Sequence, residues 1–195
     1  MEDQGGQAFC GRLLHGLTLW CCLRPHFPDG TGFRLVFGWI GRGGWFSAAD
    51  RRLKHRVCTV GRPGGWAGEA VTEYLKRIQG FAPLEMVQVK ESPKKEKELK
   101  EKTLDWWSVC LDEKGESRST EDWRKDWEKW ERAGRTRIAW IIGGADGHSV
   151  PFREGCDAIR SLGPQTLSHD LALVVLLEQI YRLESWRAGH PYHRI

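Results

Sequence analysis

From Arg56 onward the chain alternates short β-branched runs with helical stripes, and this alternation leaves few folds open to it. "RVCTVG" is a β-branched run ending in glycine. In "WAGEAVTEYLKRIQG", Ala67, Val71, Tyr74, Leu75 and Ile78 fall on one helical stripe, with Gly80 as a stop. "LEMVQV" (84–89) is a second strand, and "KKEKELKEK" sets Glu96 against Lys100 and Glu98 against Lys102 at helical i,i+4 spacing, as on a solvated helix. "WSVCLDEKG" (107–115) supplies a third strand and a turn. In "STEDWRKDWEKWERAG", Ser119 caps, Asp122 answers it as in a capping box, and Trp123, Trp127 and Trp130 form a stripe that reads as core, not as a platform for bases. "RIAWIIGGADG" is a buried strand running into glycines, and "TLSHDLALVVLLEQIYRLESWRAG" is a long helix that leaves at Gly189. The pattern predicts an α/β domain on a parallel sheet.

Residues 1–55 have a different texture, with ten glycines and no sustained period of 3.6 or 2 residues, and read as a poorly structured N-terminal extension to a domain at 56–195. They carry seven Lys/Arg against four Asp/Glu, whereas residues 56–195 carry 23 against 22. The net charge of +4 therefore sits mostly in the extension, and any nucleic acid bound by the rest needs a local patch and a matching shape. "LLHGLTLWCCL" mimics a signal-peptide core but follows Glu2 and Asp3, contains His15 and lacks an A-x-A cleavage site. Six cysteines without framework spacing point to a reduced, cytoplasmic setting, and Cys10, Cys21, Cys22 and His26 lack the paired spacing of a zinc site. The longest apolar run, Leu171 to Leu177, falls far short of the roughly 20 residues of a membrane span. No Met lies between Met1 and Met86, which is consistent with upstream sequence read as protein and a start at a non-Met codon near Leu53 or Val57.

Ligands of α/β folds sit beyond the carboxyl ends of strands, where glycines let the backbone come close, and "IIGGADG" marks such a place. It is not a dinucleotide G-x-G-x-x-G, and no G-x-x-x-x-G-K-[ST] phosphate loop exists, which argues against nicotinamide or nucleotide chemistry. Leu171 to Leu177 is apolar on every side, so the last helix needs cover beyond its own domain, and a partner subunit serves. The closing "AGHPYHRI" offers two histidines, too few ligands for a metal, while a tail of His, Tyr and Arg suits stacking on a base and binding phosphate.

"IIGGADG", "SLGPQTLSHDLALVVLLEQIYR" and the terminal "AGHPYHR", with "VCTVG" and "EYLKRI" opening the domain and "LDEKG" between, resemble the bacterial 23S rRNA pseudouridine N3-methyltransferases of the SPOUT class over residues 56–195. The resemblance implies a homodimeric α/β methyltransferase whose C-terminal part is threaded into a trefoil knot, a rare exception among folds. It implies S-adenosyl-L-methionine as cofactor, held by backbone groups of Leu111, Gly144 and the loop Gly163, Pro164, Gln165, Thr166, Leu167 and Ser168, with Gly143 giving it room. His190, Tyr192, His193 and Arg194 would face the RNA, a pseudouridine in the large ribosomal RNA of the assembled ribosome. His193 or His190 is the best candidate for the general base that takes the N3 proton, with Tyr192 or water as alternatives. Asp146, Ser168 and Leu173 stand where the family commonly has Glu, Pro and Arg, and the segment 91–105 is short. Those departures leave a second reading, a knotted protein that binds the ribosome without turnover.

Overall fold

The computed structural model describes residues 53–193, together with strands β1 (Trp20–Pro25) and β2 (Phe33–Gly38), and the chain divides into two compact units, Met1–Asp50 and Arg51–Ile195. In the first unit β1 and β2 pair antiparallel from Trp20↔Gly38 to Pro25↔Phe33. The rest of the extension, and Arg194, lie outside the described residues.

The second unit runs β3 (Lys54–Val60), α1 (Gly65–Gln79), β4 (Leu84–Val89), α2 (Lys95–Thr103), β5 (Trp107–Ser117), α3 (Thr120–Arg132), β6 (Arg137–Ile142), α4 (Val150–Glu154), β7 (Ala158–Ser161) and α5 (His169–Arg187). Five strands form one parallel sheet in the order β4-β3-β6-β5-β7. Leu53 is fully buried and the Lys54 N–H donates to the Thr136 carbonyl at 2.8 Å, so the sheet begins ahead of Arg56.

Register explains how the chain buries both faces of this sheet. Met86, Val57, Trp140, Val109 and Ala158 align across the strands in one row, and Val87, Cys58, Ile141, Cys110 and Ile159 in the next. Successive residues of a strand point to opposite faces, so the two rows feed different layers. The first row packs with Val71 and Ile78 of α1, the α3 tryptophans and Leu173, Leu176 and Ile180 of α5. The second packs with Leu99 of α2 and Phe152 of α4. The solvated-helix reading of α2 is thus right except at Leu99 and Thr103, which are buried.

The tryptophan stripe is core. Trp123 stacks on Trp140 at 5.3 Å with 5° between the rings, while Trp127 and Trp130 lie 5.7 and 6.1 Å from it. Ser119 caps α3 by accepting the Asp122 N–H at 3.1 Å, but the Asp122 carboxylate answers through the Ser119 hydroxyl at 2.7 Å, so the reciprocal bond of a capping box goes to the side chain.

Near its end β5 crosses very close to β7. Leu111 and Glu116 both register with Arg160, so a bulge intervenes, and a Cβ on Gly115 would lie 2.6 Å from the Arg160 carbonyl carbon. Backbone cannot step aside as a flexible side chain can. Gly115→Ala is therefore expected to destabilise the domain by about 1–3 kcal/mol, the usual cost of overpacking, read as a lower denaturation midpoint in urea.

Candidate active site

A cavity of about 460 Å³ opens at the carboxyl ends of β5, β6 and β7. Three segments enclose it: Leu111 to Lys114 from β5, Ile142 to His148 after β6, and the loop from Ser161 to Leu167, with His169 and Ala172 of α5 closing the side. Its volume lies within the range of small-molecule sites.

Each wall has a local cause. After β6 the chain must reverse at once, and it does so in a tight turn in which the Gly147 N–H donates to the Gly144 carbonyl at 3.0 Å with Gly147 at φ 67°, a left-handed conformation that favours glycine. Gly143 is the tightest place in that turn, because a Cβ there would stand 3.0 Å from Gly147 backbone atoms. At Gly144 a Cβ would meet the Glu91 carboxylate, the movable end of a side chain, and lie 3.3 Å from Val60 Cγ1. On the opposite wall the Thr166 hydroxyl donates to Glu113 at 2.6 Å, tying the loop to the end of β5. Ser161 Oγ receives the Gly163 N–H at 3.2 Å, and Ser168 caps α5 by accepting the Leu171 N–H at 3.4 Å.

Among the charged residues lining the cavity, Asp112 and Arg153 pair with each other. Arg153 donates to Asp112 at 2.9 Å, and the Lys114 N–H reaches the same carboxylate at 2.9 Å. Burial alone would raise the Asp112 pKa, but these two bonds outweigh it and hold the carboxyl below its ordinary value. Three buried nitrogens of cavity-lining residues have no partner among the described residues: Nδ1 and Nε2 of His148, and Nε2 of His169. Buried polar groups are normally satisfied, so ring nitrogens left over at a cavity fit a polar ligand within it. A ligand with both apolar and hydrogen-bonding parts matches the walls.

Of the cofactor residues expected from sequence, Leu111, Gly143, Gly144, Gln165, Thr166 and Leu167 line this cavity. Gly163, Pro164 and Ser168 belong to the same loop without lining it, the first and last being engaged in the bonds just described. The tail residues are elsewhere in the chain. Tyr192 packs on Tyr181 with ring centroids 4.5 Å apart and donates its hydroxyl to Glu178 at 3.1 Å, while His190 meets Phe81 edge-on at 5.6 Å. Only the backbone of His193 is described. Burial, then the nearby Glu178 carboxylate, pushes the Tyr192 phenol up to about 12. Leu173, which stands where the family commonly has Arg, is fully buried in the core and makes no surface contact.

Sequence reasoning missed the Asp112–Arg153 pair and His148. Arg153 follows the turn on a helix of only five residues, too short to show a period. His148 directly follows the glycine turn, a position that alone carried the signal.

Burial pushes the His148 imidazole below its ordinary value of 6.5, with Glu96 opposing this more weakly. A histidine with a depressed folded pKa stabilises the fold fully above the unfolded value, and that contribution disappears as pH falls through the folded one. Stability should accordingly decline below pH 6.5, and His148→Phe, which keeps the stacking on Phe152 at 4.7 Å, should flatten the decline. Melting temperatures of both proteins measured across this acid range check it; parallel curves would remove His148 as the cause.

The family model described as predicted SPOUT methyltransferase matches residues 53–193, and the chain belongs to that family. Its relatives narrow the placement. A protein named ribosomal RNA large subunit methyltransferase H from Thermus thermophilus is 43% identical over 143 residues, covering 73% of this chain and 99% of the relative. The proteins of the same name from Stenotrophomonas maltophilia and Syntrophomonas wolfei are each 33% identical, covering 73% of this chain and 99% and 100% of the relatives. Among the described residues, no helix is long and apolar enough to cross a membrane.

Proposed function

We propose that the chain transfers a methyl group from S-adenosylmethionine to N3 of a pseudouridine in 23S rRNA, as a cytoplasmic homodimer acting on the assembled ribosome. The observation that carries this reading is the cavity at the strand ends, walled by the glycine turn and the 163–168 loop, in a chain that spans nearly the whole length of rRNA methyltransferases. The cofactor, when bound, supplies an electrophilic methyl group on a sulfonium. Backbone groups of Leu111, Gly144 and the Gln165 to Leu167 segment hold and orient it, and Gly143 allows the close approach. In this reading the 163–168 loop belongs to a trefoil knot, which would fix the cavity wall before the cofactor arrives.

Methylation forms an N–C bond as the S–C bond breaks, and the N3 proton leaves to a base. Positioning supplies most of the rate, since well-oriented reactants gain about 7–11 kcal/mol over free encounter. With its phenol pushed up to about 12, Tyr192 keeps its proton at neutral pH and serves to hold Glu178, which favours His190 or His193 as the base. Leu171 is 40% exposed and Trp66 58%, and both belong to the paired helices α1 and α5, an apolar face suited to a second copy of the chain. Docking there brings the tail of one protomer toward the cavity of the other. Label transfer from methyl-tritiated S-adenosylmethionine should be efficient with ribosomes from a strain lacking the modification and weak with free 23S rRNA. Equal labelling of both would refute the ribosome requirement, and binding without transfer would favour a protein that docks without turnover.

A further inference from the structure

At the amino-terminal ends of β3, β5 and β6, across the sheet from the cavity, two neighbouring tryptophans carry arginines on their faces. Arg56 Cζ lies 4.1 Å and Arg137 Cζ 4.7 Å from the Trp106 ring centroid, and Arg135 Cζ lies 4.7 Å from that of Trp107. A groove of about 240 Å³ runs between them, with Asp105 and Asp157 on its rim. A guanidinium laid on an indole is held in place while its N–H edges stay available, the arrangement that suits phosphate.

Two arginines and two carboxylates line the groove, and their partners differ. Arg56 is committed, since it donates to Glu85 and to the Lys102 carbonyl. Asp157 is committed too, accepting the Ser108 N–H and hydroxyl, each at 2.8 Å. Arg135 and Arg137 are exposed and, among the described residues, ion-paired to no carboxylate. The Trp107 indole N–H faces no acceptor although its nitrogen is buried. Two oriented cations, Arg135 and Arg137, line the groove beside Asp105 and Asp157, in a domain whose overall charge is close to balanced, 23 Lys/Arg against 22 Asp/Glu over 56–195.

We propose that this groove binds the phosphodiester backbone of the rRNA, as a second contact on the side of the sheet away from methyl transfer. The inference rests on the rRNA reading above. Trp106 already carries two guanidinium groups, so the tryptophans act as supports for arginine and the contact reads phosphate, not base sequence.

The test is a salt series of binding between the full chain and assembled ribosomes from a strain lacking the modification. Losing two phosphate contacts should lower the slope of log affinity against log salt by about 1.4–1.8 and weaken binding about tenfold or more at low salt. Arg135→Gln with Arg137→Gln is expected to do this while leaving S-adenosylmethionine affinity unchanged, which controls for folding. Arg135→Lys with Arg137→Lys, which keeps both charges, should restore the slope. If the unaltered chain binds and methylates rRNA but the double Gln variant has the same slope and affinity, the groove is not an RNA contact and this inference alone falls. Failure of the unaltered chain to bind these ribosomes at all would overturn both this inference and the reading beneath it.

Discussion

Glu184→Ala is expected to cost about 3–5 kcal/mol and to lower the melting temperature by roughly 10–15 °C. Glu184 is buried on α5, accepting from His55 Nε2 at 3.0 Å and from Arg187 at 3.0 Å through each oxygen. Trp140 sets the direction of this chain. Its indole can only donate, and it reaches His55 Nδ1 at 3.2 Å, so Nδ1 accepts and Nε2 carries the proton given to Glu184. Arg187 continues outward to Glu131 at 2.9 Å. Removing the carboxylate leaves a buried N–H without an acceptor and a guanidinium with half its partners. Glu184→Gln, which keeps the shape and one acceptor, should lose clearly less. Urea denaturation of the two variants decides it, and a loss below about 1 kcal/mol for the alanine variant would show that the network adds little net stability.

The second large effect concerns the tail. A chain ending at Gly189 should keep cofactor affinity and dimerisation while losing methyl transfer by about a thousandfold or more, the combined scale of a lost general base and lost substrate positioning. Within one chain the tail folds back along α5 as far as Glu178, about 15 Å along the helix from Ser168 at the end of the 163–168 loop. In the proposed dimer each site combines the loop of one protomer with the tail of the other. Gly144→Val supplies the complementary defect: its Cβ would meet the Glu91 carboxylate and lie 3.3 Å from Val60 Cγ1, so the turn that walls the cavity must shift even after Glu91 swings away. Calorimetry should then find no S-adenosylmethionine binding in a protein with normal circular dichroism. Mixed dimers of the two variants should recover part of the wild-type activity, since one of their two sites is whole. Subunit exchange without recovery would place the tail's role within its own chain.

Much of the fold was legible because its signals are local. The α3 tryptophans recur at helical spacing, and that spacing alone assigned them to the core. α4 and β7, with five and four residues, are too short to display a period, and no prediction covered them. The His55–Glu184 bond joins residues 129 apart in sequence, and no local pattern reports such a contact. The glycine turn was visible as a wall of a cavity beyond a strand end, but the Arg153–Asp112 pair on the neighbouring wall depends on how β5 and α4 meet in space. The groove beside Trp106 was hidden for the same reason: Arg56, Trp106 and Arg137 come together only once β3, β5 and β6 are aligned.

Methyl transfer to a defined nucleoside tests the central claim most directly. Ribosomes from a strain lacking the modification are incubated with the full chain and S-adenosylmethionine, and the 23S rRNA is digested to nucleosides for mass spectrometry. The account predicts one new species, pseudouridine heavier by a methyl group at N3, absent when Gly144→Val replaces the active chain. A methyl group on any other nucleoside, or none while the cofactor still binds, would contradict it.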